Sequence, residues 1–461
     1  MSSNRARCWK GEVLMIAQRI WHAVAAIGIV LAGAQSLKAS EQVKVDVAVA
    51  KPYLLAGQKQ TSYIRVGLTG IPINDTGRRT AVNVAIVLDK SGSMTGEKLR
   101  KAKDAAFASI DRLGPNDIVS VIAYDQTVDV LVPATKVSDR QTLRASIEKL
   151  SAGGSTALFA GVSKGAAEVR KFLDRQRVNR IILLSDGQAN VGPSSPADLG
   201  NLGASLIKEG ISVTTLGLGL DYNEDLMTQL ARKSDGNHYF IENSTDLARQ
   251  FGYEFDDVLS VVAQEVTVGI TCGPGVRPIR VLGREADITG QTVTTYVNQV
   301  YGNQEKYVLL EVEVPAQQAG TEQNLANVNV SYVNMASKNP DKIARVASTR
   351  FTGSASLVES STNATVMTSA IEQIAVERNK QAVLLRDQGK IEEARKVLLD
   401  NAAFLSENAV KYNSKELDDY KGKNRKDADN LAPAVWESQR KAILSEQNVR
   451  QSQQGQGQNR Q

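Results

Sequence analysis

Five oxygen-bearing side chains stand out by type and spacing. Asp89-Lys-Ser91-Gly-Ser93 follows the apolar run 82–88, and Ser185-Asp186-Gly187 follows the apolar run 181–184. Gly153-Gly-Ser-Thr156 opens an amphipathic stretch that begins at 158. Together these loops offer two carboxylates (Asp89, Asp186) and three hydroxyls (Ser91, Ser93, Thr156), with no sulfur and no imidazole. Hard oxygen donors select Mg2+, Mn2+ or Ca2+ over zinc or copper. Alternate residues of a tight Asp-x-Ser-x-Ser loop can turn inward together, and Gly92 lets the backbone bend sharply. With the hydroxyls in the inner shell, two carboxylates and neutral hydroxyls leave a divalent ion under-neutralised, a Lewis acid with an open position. A carboxylate from a partner protein suits that position, because it supplies charge the site lacks. Lys90 is expected to point to solvent beside the metal, where it would steer an acidic partner.

The surrounding elements place these loops on one rim. Val82–Leu88, Ile118–Tyr124 and Ile181–Leu184 are near-continuous apolar runs, as expected of strands covered on both faces. Shorter strands are expected at 213–216 and 238–241. Helical periodicity marks 97–113, 139–150, 158–173, 197–209, 223–233 and 244–259. Alternating buried strands and helices predict a doubly wound, mostly parallel α/β sheet of Rossmann type, whose ligands bind at the carboxyl ends of the strands. The three loops therefore converge on one crevice.

Residues 43–70 and 262–351 alternate instead with a period of two, as antiparallel strands do. Two or three isolated strands cannot bury a face alone. The α/β region is therefore expected as an insertion into a split β-sandwich. Residues 363–446 read as a C-terminal helical region. Gly389-Lys-Ile-Glu-Glu-Ala-Arg-Lys-Val-Leu resembles part of a tetratricopeptide unit, but only one such unit is visible, and a lone helical hairpin is the preferred reading. The expected segments are 1–39, 40–80, 81–260, 261–355, 363–446 and a disordered Gln-rich tail, 447–461.

Composition narrows the function. The chain has 461 residues, 42% of them hydrophobic and 23% charged, with a formal net charge of +5. Residues 1–39 alone carry a net +4, leaving 50 basic and 49 acidic residues beyond them. No basic body exists to grip a phosphate backbone, so nucleic acid is not an expected partner. Within 1–39, basic residues precede the apolar run Ala23–Ala34, which fits a secretory signal and is short for a membrane span. A periplasmic or secreted protein is expected, with an uncleaved N-terminal membrane anchor as the alternative. Cys8 and Cys272 are the only cysteines and His22 and His238 the only histidines, which excludes a disulfide framework and most imidazole catalysis. Cys272 is read as lying in a turn, His238 as packed or capping, and Asp256 and Asp257 as solvated charges. Gly92-Ser-Met-Thr-Gly96-Glu fails as a phosphate loop in both spacing and the missing lysine.

These residues carry a family resemblance. Asp89, Ser91, Ser93, Thr156 and Asp186, each in its strand-and-loop context, resemble the metal-ion-dependent adhesion site (MIDAS) of von Willebrand factor type A (VWA) domains. The resemblance covers about 80–260. The layout is similar to exported bacterial members with flanking β-structure, homologues of calcium-activated chloride channels or inter-alpha-trypsin inhibitor heavy chains. It implies that the three hydroxyls coordinate and that the aspartates act directly or through water. It also implies a non-enzymatic adhesion or scaffold module that captures a partner's Asp or Glu through the cation. The alternative is a metal-dependent enzyme or an accessory subunit of one, which would need a general base that the sequence does not supply near the rim.

Overall fold

The computed structural model describes residues 41–73 and 79–455. The segment 1–39, expected as a leader or anchor, and the last residues of the tail, 456–461, lie outside the described residues. The chain begins with β1 (Val43–Val49), β2 (Tyr53–Leu55) and β3 (Gln60–Gly70). An α/β segment follows: β4 (Val82–Asp89), α1 (Glu97–Arg112), β5 (Ile118–Tyr124), β6 (Val128–Lys136), α2 (Arg140–Glu148), α3 (Leu158–Arg170), β7 (Val178–Ser185), α4 (Pro196–Lys208), β8 (Ile211–Leu218), α5 (Glu224–Lys233), β9 (His238–Ile241) and α6 (Leu247–Leu259). Its sheet has the order β6-β5-β4-β7-β8-β9. All pairs are parallel except β5 with the edge strand β6.

Every residue of β4, β7 and β8 is buried. Along β4 the side chains alternate between two cores. Val84, Ile86 and Leu88 join the helices α1 and α6 through Ala102, Ile110, Phe251 and Phe255. Ala85 and Val87 join α3, α4 and α5 through Val162, Ala166, Leu206 and Leu230. Burial of each such aliphatic side chain contributes about 1.5–3 kcal/mol, which offsets the entropy of ordering the strands. Helix α3 lies close on the sheet: a Cβ at Gly165 would come 2.7 Å from Val87 Cγ2. That approach packs α3 directly on β4, and the loop bearing Thr156 lies just before the helix start.

The second body is the split sandwich. Its later strands are β10 (Val261–Cys272), β11 (Arg277–Leu282), β12 (Asp287–Thr289), β13 (Thr292–Tyr301), β14 (Glu305–Val314), β15 (Glu322–Asn334) and β16 (Pro340–Thr352). One sheet has the order β1-β3-β14-β11 and the other β12-β13-β10-β15-β16-β2. In the first, Val66 of β3 pairs with Val47 of β1 on one side and Val308 of β14 on the other. Strands from before and after the α/β segment thus share one sheet, and the segment is an insertion between β3 and β10. Val45, Val66, Val268, Val308 and Val328 belong to the core between the sheets.

The C-terminal region is more than a hairpin. After α7 (Ala355–Ser360) come α8 (Ala364–Asp387), α9 (Ile391–Tyr412), α10 (Lys415–Asp429) and α11 (Pro433–Gln451). The expectation of a lone hairpin missed α10, whose sequence is mostly charged; Leu417, Tyr420, Asn424 and Ala428 form its buried face. A buried asparagine relay joins three helices. Asn401 Nδ2 donates to Asn379 Oδ1 (2.8 Å) and Asn424 Oδ1 (3.0 Å). The tail expected to be disordered from 447 is helix to Gln451 and then packs on the sandwich. Gln453 Nε2 donates to the Leu282 carbonyl at 2.6 Å, and Gly455 N to that of Glu305 at 2.7 Å. The tail is ordered by these bonds to sandwich carbonyls, that of Leu282 being on a buried residue. Among the described residues, no helix is long and apolar enough to cross a membrane.

Candidate functional site

The strand order reverses at β4, and the three loops meet there at the carboxyl ends of β4 and β7. Asp89 closes β4 and is fully buried. Its Oδ1 accepts from Ser91 N at 2.8 Å and its Oδ2 from Ser185 Oγ at 2.6 Å. The Tyr124 hydroxyl lies 3.4 Å from the same Oδ2. Burial pushes the Asp89 carboxyl above its usual range; hydrogen bonds from Ser185 and Ser91 oppose this, and the Asp186 charge adds to it. Burial likewise drives the Tyr124 phenol well upward.

Asp186, also fully buried, accepts from Ser93 Oγ at 2.7 Å through Oδ1. Ser91 Oγ and Ser93 Oγ are 3.1 Å apart. Thr156 is pinned by its backbone: its N–H donates to Asn190 Oδ1 at 2.8 Å, and its carbonyl accepts from Asn190 N at 3.1 Å. Two further backbone bonds tie the first loop to the second, Gly92 N to the Gly154 carbonyl at 3.0 Å and Gly153 N to that of Lys90 at 2.8 Å.

Gly187 reports where the hydroxyls converge. A Cβ added there would stand 3.0 Å from Thr156 Oγ1, 3.4 Å from Ser93 Oγ and 3.5 Å from Ser91 Oγ. Three hydroxyls from two loops therefore surround one small space beside a glycine of the third. Ser93 is exposed, so the cradle opens to solvent on that side. All five expected residues are gathered by these contacts. The donors are oxygen throughout, which fits a hard cation. Among the described residues, no three His, Cys, Asp or Glu side chains gather as metal ligands, so a cation at this rim must draw on hydroxyls.

Lys90 does not point freely to solvent. Its ammonium is ion-paired with Asp125 and lies 3.5 Å from Asp129, and its side chain is only 14% exposed. Burial works against the Asp125 charge, but hydrogen bonds from Lys90 and Thr127 outweigh it and hold that carboxyl low. The cation at the rim is instead Lys98, whose Nζ lies 2.5 Å from Asp186 Oδ2. Sequence reading assigned no role to Lys98, Ser185 or Asn190. Lys98 sits among the charged residues that open α1, and nothing local distinguishes it from its exposed neighbours.

His238 is fully buried away from the rim, 2.8 Å from Thr215 Oγ1 through Nδ1; burial pulls it down to about 4, so it is neutral. Cys272 is the last residue of β10 rather than part of a turn, and burial pushes its thiol up to about 11. Asp257 is buried and accepts from Gln304 Nε2 at 2.7 Å, while Asp256 pairs with Arg112. Asp256 is thus exposed as expected, though paired, whereas Asp257 is not a solvated charge.

Residues 83–252 match the model of the von Willebrand factor type A domain. The inserted segment is a VWA domain. Domains of this family are protein-interaction modules. A Synechocystis protein is 34% identical to this chain over 188 residues, 41% of this chain and 44% of that one. Human inter-alpha-trypsin inhibitor heavy chain H4 is 29% identical over 195 residues, covering 40% of this chain and 21% of that one. The matches span less than half the length of these relatives. Two solved structures extend the likeness beyond the VWA domain. A von Willebrand factor type A protein from Catenulispora acidiphila covers 91% of this chain and 99% of its own at a TM-score of 0.70 and 17% identity. The ArnB paralog VWA2 from Sulfolobus acidocaldarius covers 89% and 98% at a TM-score of 0.63 and 19% identity. At these identities the likeness establishes the fold alone.

Proposed function

We propose that the chain is a non-enzymatic, metal-dependent protein-binding module. Asp89, Ser91, Ser93, Thr156 and Asp186 hold one divalent cation, Mg2+ first and Mn2+ or Ca2+ as alternatives. The bound cation supplies a Lewis-acidic position for an Asp or Glu carboxylate of the partner. The observation that carries this reading is the convergence of three hydroxyls on the space beside Gly187. Ser91, Ser93 and Thr156 present their hydroxyls to it directly. Asp89 has both oxygens engaged by Ser91 N and Ser185 Oγ, so it acts by orienting that shell. Asp186 orders Ser93 in the same way.

No observation favours an enzyme at this rim, since His238 is sealed in the α/β core and Lys90 is bound to Asp125. We further propose export to the periplasm or beyond through residues 1–39, which N-terminal sequencing of the mature chain would test. For the site, Asp89→Ala and Thr156→Ala are each expected to abolish Mg2+ binding by calorimetry while the circular dichroism stays native. Unchanged affinity in both variants would sink the reading.

A further inference from the structure

We propose that Lys98 gives the rim its demand for an anionic guest, by neutralising Asp186 so that a cation held there keeps an unmet positive charge. The inference rests on the metal-site reading above and deepens it. Lys98 is the second residue of α1, and its Nζ stands 2.5 Å from Asp186 Oδ2. Asp186 is fully buried, and its other oxygen is taken by Ser93. The ammonium also lies near the turn just past β8, where a Cβ added at Gly219 would be 3.6 Å from it. The lysine side chain is 29% exposed.

The charge count then changes. Summed over the whole rim, inner and outer shells together, the formal charges of Asp89 and Asp186 match that of a divalent ion, so the two carboxylates alone leave no net charge for an anionic guest to meet. Lys90 does not alter this, because Asp125 occupies it. With Lys98 included, the rim carries one net negative charge before the cation arrives and one net positive charge afterwards. A single carboxylate closes the count. Lys98 therefore has two opposed effects: it repels the incoming cation and attracts the guest that follows. Both are strong where water is excluded and weaken as the site opens. Cation and guest must then reinforce one another reciprocally.

The test uses the full chain with Mn2+ as the probe, titrated by calorimetry with and without acetate. Wild type, Lys98→Met and Lys98→Arg are compared. Lys98→Met is expected to bind Mn2+ about tenfold more tightly than wild type, a shift of about 1.4 kcal/mol. Acetate is expected to tighten Mn2+ binding in wild type and in Lys98→Arg, and to have no such effect in Lys98→Met. Lys98→Arg keeps the charge beside Asp186 and serves if Lys98→Met does not fold; an acetate effect absent from wild type and Lys98→Arg overturns the proposal. So does equal Mn2+ affinity, or an equal acetate effect, in wild type and Lys98→Met, while the metal site itself stands. A wild type that binds no Mn2+ overturns the metal site and this proposal together.

Discussion

Strand β7 carries buried charge at both ends, and the two ends treat it differently. Near the amino end, Arg180 is fully buried and its terminal nitrogens donate to Thr214, Glu254, Gln299 and Tyr301. Glu254 is equally buried and also accepts from Thr214 Oγ1 at 2.6 Å and Asn237 Nδ2 at 3.0 Å. Gln299 and Tyr301 belong to β13, so this charge cluster fastens the VWA domain to the sandwich. At the carboxyl end, the buried Asp186 pairs with Lys98, the buried Asp89 accepts from Ser91 N and Ser185 Oγ, and three hydroxyls face a small open space. One end is closed by the protein itself. The other is arranged by short hydrogen bonds but left electrostatically incomplete. The charge at the first end finds its counter-ion within the protein; on the proposed reading, the charge at the second is completed by what binds.

The largest expected effect would break the closed end. Glu254→Gln leaves Arg180 buried without its counter-ion, and should cost about 3–5 kcal/mol in urea unfolding of the full chain. A loss under about 1 kcal/mol would show that the cluster is no more than an exposed pair in energetic terms. At the open end, saturation with Mg2+ should stabilise the wild type by about 2.7 kcal/mol at a hundredfold excess over Kd, and Thr156→Ala not at all. An equal rise in thermal midpoint for both would mean that the cation binds elsewhere. Gly187→Ala places a methyl among the three hydroxyls and is expected to weaken cation binding by about tenfold or more with little change in stability, because Gly187 does not have a positive φ and the atoms the methyl meets are side-chain hydroxyls that can shift. Unaltered affinity by calorimetry would remove Gly187 as the marker of the site.

The smallest effect concerns pH. Burial, partly opposed by Ser185 and Ser91, holds the folded-state pKa of Asp89 above its ordinary value of 3.8. The folded chain then binds more protons than the unfolded chain above that value, so ionised Asp89 costs stability at neutral pH. In EDTA at pH 7, Asp89→Asn should melt slightly higher than wild type, and the gain should fade as the pH drops below the ordinary carboxylate range. A difference that grows on acidification would reverse the sign of this assignment.

Much of the arrangement was legible residue by residue. The apolar runs 82–88 and 181–184 marked β4 and β7, and the loops after them carried Asp89 and Asp186. Glycine-flanked hydroxyls marked the remaining donors. Legibility failed where polarity hides periodicity. The edge strand β6 escaped notice because Asp129 and Pro133 interrupt it, and α10 because its inner face includes Asn424 instead of an apolar side chain. It failed again for Lys90 and Lys98, two lysines of the same short segment with opposite fates. Nothing within a few residues tells which one meets Asp125 and which meets Asp186.

That distinction separates what the chain specifies locally from what packing decides. Donor chemistry, the alternation of buried strands with helices, and the return to period-two strands are properties of neighbouring residues, governed by the repeat of a helix or a strand. They were set by sequence alone. The partner of Lys98 lies 88 residues away, those of Arg180 on β13 lie 119 and 121 away, and Arg65 of β3 meets Glu305 across 240. Such pairings exist only because burial of the apolar faces brings distant segments within hydrogen-bond reach, where low polarity makes each unpaired charge costly. The tertiary structure therefore decided which charges are closed and which single rim stays open.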